Sequence, residues 1–266
     1  MNTAVIRALL ARDLGMIRRS RALMLPMLFL PTLLLVVLPA AIGLAARERT
    51  LDVETFVNML PAGIADPILE APPDERLILL VLGYMVAPLF LIVPLMVSSV
   101  LAADTFAGGG ERRALGALRR LPGSGRDVYV GGVLGTVLPS TAVAWVGFVV
   151  FCVVSNVVCW PVMQRIFIPT GTWLLVIFWL APAVAALGLG VMVRVSLRVE
   201  NTQEAQQLGG AVVLPLVVLA VGQTTGLLIA GPVVTVFVGF LVWLIAGTLN
   251  WRGMRAYRRN TMAARL

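Results

Sequence analysis

Leu77-Ile-Leu-Leu-Val-Leu-Gly-Tyr-Met-Val-Ala-Pro-Leu-Phe-Leu-Ile-Val-Pro-Leu-Met-Val-Ser-Ser-Val-Leu-Ala-Ala103 carries no charged side chain. As a helix it is long enough to cross a hydrocarbon core of about 30 Å. Outward from it, apolar stretches of similar length occur at 22–46, 129–156, 171–193, 208–230 and 232–251. Of the 266 residues, 59% are hydrophobic and 13% charged, against about half and about a quarter in soluble domains. A soluble fold could not bury so much apolar surface. The expected fold is an all-α integral membrane protein with six transmembrane helices, forming a single domain over residues 1–266. Gln223-Thr224-Thr225-Gly226 and Gly231-Pro232 interrupt the last two spans, predicting a re-entrant or broken connection between helices 5 and 6.

The basic side chains are 21 arginines, with no lysine and no histidine. A phosphate-binding loop of the GxxxxGK[ST] kind needs a lysine, so nucleotide-driven work requires a partner. Without histidine there is no Ser-His-Asp triad, no HExxH zinc site and no imidazole acid or base. Most hydrolase chemistries are thereby excluded. Cys152 and Cys159 on one helix would stand about 10.5 Å apart, too far for a disulfide. They read as small apolar side chains.

With the N-terminus inside, segments 1–21, 104–128, 194–207 and 252–266 hold 17 arginines and six acids, and the outer segments four arginines and seven acids. The difference, +11 against −3, is the positive-inside pattern and predicts that both termini are cytoplasmic. The arginines are spread over four loops as topology signals and contacts to membrane lipids, so nucleic-acid binding is not expected. Val5, Ile6, Leu9, Leu10, Met16 and Ile17 share an arc opposite several arginines. That pattern suggests an N-terminal amphipathic interfacial helix, or an ordinary basic flank, ahead of an uncleaved first span. Pro26, Pro31 and Pro39 should kink that span. Trp160, Trp173, Tyr129, Trp251 and Tyr257 fall where an interfacial aromatic belt is expected. The acidic, proline-containing segment 47–76 reads as a capping loop with a short helix.

No Asp, Glu or Arg lies in the middle of any expected span. This argues against an ion-coupled carrier, which keeps a charge at mid-membrane, and against intramembrane aspartyl protease chemistry. Ser98, Ser99, Ser140, Thr141, Ser155 and Asn156 read as helix-to-helix or back-bonded polar contacts, not as a site.

Asp104-Thr-Phe-Ala-Gly-Gly-Gly-Glu-Arg-Arg-Ala-Leu-Gly-Ala-Leu-Arg-Arg-Leu-Pro122 has Asp104 placed to cap a helix, Leu115, Leu118 and Leu121 at helical spacing, and four arginines on the rest. A short amphipathic helix is expected, resting on the membrane or on a protein partner. The stretch resembles the cytoplasmic loop of the ABC-2 type ABC transporter permease family, approximately D-S-F-A-G-E-R-E-R-K/G-T-L-E-A-L-L-A-L-P. Asp104, Phe106, Ala107, Gly108, Glu111, Arg112, Leu115, Ala117, Leu118, Leu121 and Pro122 match it without gaps, and Ser124 to Gly131 continues the likeness. Val199-Glu-Asn-Thr-Gln-Glu-Ala-Gln-Gln-Leu-Gly-Gly-Ala-Val-Val-Leu-Pro215 is similar to the family's start of its fifth span. Gly109, Gly110 and Gly116 depart from the family's Glu, Arg and Glu, and Gly132 from its frequent Lys.

The resemblance implies an ABC-2 type transmembrane domain: the permease subunit of an ATP-driven transporter, without a catalytic site or cofactor of its own. The partners implied are two copies of a cytoplasmic ATPase subunit, which would carry ATP and Mg, and a second permease subunit, identical or related. Phe106, Glu111, Arg112, Leu115 and Leu118 would couple to the ATPase, with Glu200, Glu204 and Gln207 as further contacts. The location implied is a bacterial inner membrane. Spans without charge suit export of a lipidic, amphiphilic or bulky cargo. A non-ATP-driven carrier, a structural assembly subunit and a membrane-embedded enzyme remain the alternatives.

Overall fold

The computed structural model describes residues 29, 31–48, 53–60, 62–106, 125–196 and 232–263. Every described element is helical. Helix α1 (Leu38–Glu48) follows a π-helical turn at Leu33–Val37. Two short helices, α2 (Glu54–Val57) and α3 (Ala62–Leu69), lead to the long α4 (Pro73–Phe106). Then come α5 (Gly125–Met163), α6 (Gly171–Val195) and α7 (Pro232–Ala263). Within these, Pro73–Phe106, Tyr129–Met163, Gly171–Val195 and Val233–Ala256 are each long and apolar enough to cross a membrane, consistent with a membrane protein. Only part of the first expected span is described, and the expected fifth span, the N-terminal amphipathic helix and most of the expected coupling helix lie outside the described residues.

Helix α6 packs against α4 on one side and α7 on the other. Its sequence explains how. Ala181, Ala183, Ala185 and Ala186 are buried, and glycines at 188 and 190 point to opposite neighbours. A Cβ at Gly188 would meet Ser98 Oγ at 2.5 Å and the Leu95 carbonyl oxygen at 3.1 Å on α4; one at Gly190 would meet Leu249 Cβ at 2.9 Å on α7. Small residues let backbones approach where lipid gives no hydrophobic drive between helices. The apolar window of α4 is 67% buried and that of α7 only 17%, so α4 is core and α7 the rim.

Three π-helical turns, Leu33–Val37, Leu79–Met85 and Val176–Leu180, interrupt the α-helices. Each ends two or three residues before a proline: Pro39, Pro88 and Pro182. Proline has no N–H for a carbonyl one turn back and its ring presses on that turn, and widening relieves both. In the first span a widened turn accompanies Pro39, one of the prolines expected to kink it.

The Trp173 ring does not join an interfacial belt. It is 1% exposed, stacked on Phe148 at 5.5 Å between centroids and flanked by Phe151 at 5.0 Å and Phe90 at 5.9 Å. Trp160 and Trp251 are about half exposed, as belt residues should be. Within the expected capping loop over 47–76, residues 53–60 and 62–72 carry α2 and α3, with Val57 and Ile68 buried. Arg76 holds the cap through the Ala71 carbonyl at 3.1 Å, the Leu69 carbonyl at 3.0 Å and the Glu54 carboxylate at 3.2 Å. Arg165 pairs with Glu75 at this same end.

Candidate functional site

At the opposite end of the bundle, α4, α5, α6 and α7 converge on the flanks of segment 107–124. Phe106, in the last turn of α4, is 6% exposed and packs with Ala102, Ala103, Leu189, Met192 and Val193. Its ring lies 5.7 Å from that of Tyr129 near the start of α5. A Cβ at Gly132 would meet the Phe106 ring at 2.7 Å, so this glycine makes room for the ring. Phe106 is therefore seated inside the bundle. Asp104 sits in the same last turn.

Tyr129 is 3% exposed, buried where an interfacial position was expected. Its hydroxyl lies 3.0 Å from the Asn250 backbone carbonyl and 3.4 Å from Asn250 Oδ1, both on α7. Asn250 Nδ2 donates to the Ala186 carbonyl of α6 at 2.9 Å and to Ala246 of its own helix at 2.8 Å. Gly253 leaves space beside this pair, since a Cβ there would stand 3.0 Å from both the Tyr129 hydroxyl and Val193. One phenol and one amide thus tie α5, α6 and α7 together next to the Phe106 ring. A hydrogen bond of this kind between membrane helices contributes about 1 kcal/mol.

A second polar seam crosses the middle of the bundle at the Val176–Leu180 turn. Trp145 Nε1 on α5 donates to the Ile177 carbonyl at 3.2 Å, and Trp243 Nε1 on α7 to the Trp179 carbonyl at 3.3 Å. Trp179 Nε1 donates in return to the Val236 carbonyl at 3.2 Å, its indole lying over Gly239. Indole N–H groups from both neighbouring helices therefore reach the carbonyls of the widened turn. These three indoles lie partly exposed on the bundle surface, where lipid offers their N–H no acceptor, and that need was the signal in the sequence that could have pointed here; among the described residues the buried Trp173 Nε1 has no acceptor. The hydroxyls behave as expected where they are partnered: Ser98 bonds the Leu95 carbonyl at 3.3 Å and Ser140 the Thr136 carbonyl at 2.8 Å. Asn156 fastens the loop after α5, donating to the Ile168 carbonyl at 2.7 Å and accepting from Phe167 N–H at 3.0 Å.

Of the residues expected to contact an ATPase, Phe106 is placed as above. Glu111, Arg112, Leu115, Leu118, Glu200, Glu204 and Gln207 lie outside the described residues. Sequence reasoning did not single out Tyr129 and Asn250 as partners; an amide close to the end of an apolar span was the available hint. Among the described residues no group of three or more Cys, Asp or Glu could hold a metal ion. No protein-family model, curated protein or solved structure matches the chain.

Proposed function

We propose that this chain is the transmembrane permease subunit of an ATP-driven transporter of the ABC-2 type, exporting a lipidic, amphiphilic or bulky substrate with a separate ATPase. One structural observation supports it most. Both flanks of the segment that resembles the coupling loop, Phe106 and Tyr129, interlock where four helices meet. A force on that loop would reach α4 and α5 directly and α6 and α7 through Asn250. ATP binding would close the ATPase pair, displace the loop helix with Leu115 and Leu118 seated in an ATPase groove, and shift the bundle between two packings.

Chain direction supports six crossings. Helix α5 and the described part of α1 run together, as Gly147 faces Leu35 and Gly43 faces Val158. Helices α4, α6 and α7 run the other way. Since α6 and α7 are parallel neighbours, with Ala186 beside Asn250 and Trp179 beside Val236, the chain must return from one end to the other between residues 196 and 232. A crossing there, with both termini on the Phe106 side, agrees with the arginine distribution.

Gentle extraction with native neighbours should bring an ATPase down with the chain, and recovery of none would sink the proposal. Replacing Leu115 and Leu118 together by Asp should abolish substrate-stimulated ATP hydrolysis in the reconstituted complex while the protein still inserts; unchanged hydrolysis would remove the loop from the mechanism.

A further inference from the structure

The outward face of α7 is an apolar stripe with a cationic end. Val233, Phe237, Phe240, Leu241 and Leu244 are exposed along it. In the last turn of the span, which ends at Ala256, Trp251, Arg252 and Arg255 are exposed as well. The Arg255 guanidinium lies 3.7 Å over the Trp251 ring, a cation–π contact that holds it against the helix at the boundary of the apolar region. Asn250 and Gly253, on the other side of the same turn, are committed to α5 and α6. Among the described residues neither Arg252 nor Arg255 has a carboxylate partner.

We infer that this turn of α7 binds the headgroup of an anionic phospholipid, whose acyl chains lie along the stripe above it. The chemistry matches at both levels: planar N–H donors for the phosphate, an amphipathic indole at headgroup depth, and a tall apolar surface for the chains. A second copy of the chain is the other occupant to weigh. Two copies inserted in the same sense are related by an axis along the membrane normal, so each residue of a symmetric contact meets its counterpart at equal depth. Arg252 and Arg255 would face their own copies, and like charges at low dielectric repel strongly. An anionic headgroup neutralises the pair, whereas a second copy doubles it. This site does not depend on the transport proposal.

The test uses the purified full-length chain in mixed micelles of phosphatidylglycerol and phosphatidylcholine, with the retained lipid counted by native mass spectrometry. Wild type should retain phosphatidylglycerol in several-fold excess over its share. Replacing Arg252 and Arg255 together by Gln should remove most of that excess, the other inner arginines accounting for the remainder. Trp251→Leu, which leaves net charge unchanged, should lower it by about two- to fourfold. Restoring charge with Lys at both positions should recover most of it. Equal enrichment in wild type and the double Gln variant, or no enrichment by wild type, overturns the inference. So does efficient cross-linking between copies through a cysteine at Phe240, which would put a protein on the stripe. Should the double variant fail to insert, wild type alone decides: enrichment that survives molar salt, where exposed ion contacts are screened beyond about 3 Å, also overturns it.

Discussion

The Tyr129 hydroxyl gives the convergence of helices at the Phe106 end a defined geometry. Tyr129→Phe keeps the ring against Phe106 and removes the hydroxyl with its bond to Asn250. It should lower unfolding stability in detergent by about 1 kcal/mol, read as a lower thermal midpoint; an unchanged midpoint would show that the hydroxyl contributes nothing. Such a bond is hard to read from sequence because its partners are 121 positions apart. An aromatic ring with a polar tip at a span end satisfies that tip equally well with interfacial water or with a side chain across the bundle. The same ambiguity separated Trp160, exposed as expected, from Trp173, which the Phe90, Phe148 and Phe151 rings enclose. The back-bonded hydroxyls of Ser98 and Ser140 were legible, since their partners lie within one turn of their own helix.

At the scale of elements, α6 is held by what it lacks. Gly188→Leu should force α4 and α6 apart, because the obstructing Leu95 carbonyl is backbone and cannot swing away. The expected loss is about 1–3 kcal/mol, visible as a fall in thermal midpoint and in yield of folded protein. Gly247→Ala on α7, where nothing lies within 4 Å of the added carbon, should be neutral or slightly stabilising. Equal effects from the two would contradict the packing. The long apolar helices were legible because twenty or so uncharged residues have few other homes. Their widened turns were not. Proline announces a disturbed turn, but whether the helix kinks or widens depends on what the neighbours supply, and at Val176–Leu180 the donors come from Trp145 and Trp243 on other helices.

For the whole molecule, the parallel pairing of α6 and α7 predicts where the ends of the chain emerge. Reporters fused before Met1 and after Leu266 should be accessible from the same side of the membrane, and a reporter inserted at Gln164 from the other. Termini on opposite sides would rule out the six-crossing arrangement. The same chain directions set the electrical sign at each helix end. In the peptide backbone every helix carries partial positive charge at its start and partial negative charge at its end. Among the described helices, α4, α6 and α7 finish at the Phe106 side, whereas α5 and α1 start there. Individual helix ends meet complementary charge: Asp74 and Glu75 stand in the first turn of α4, Arg194 in the last turn of α6, and Arg252 and Arg255 near the end of the α7 span. On an anion at that face the two therefore act in opposite senses: the carbonyl ends of these helices repel it and the arginines attract it, so substituting the arginines would leave only the repulsion.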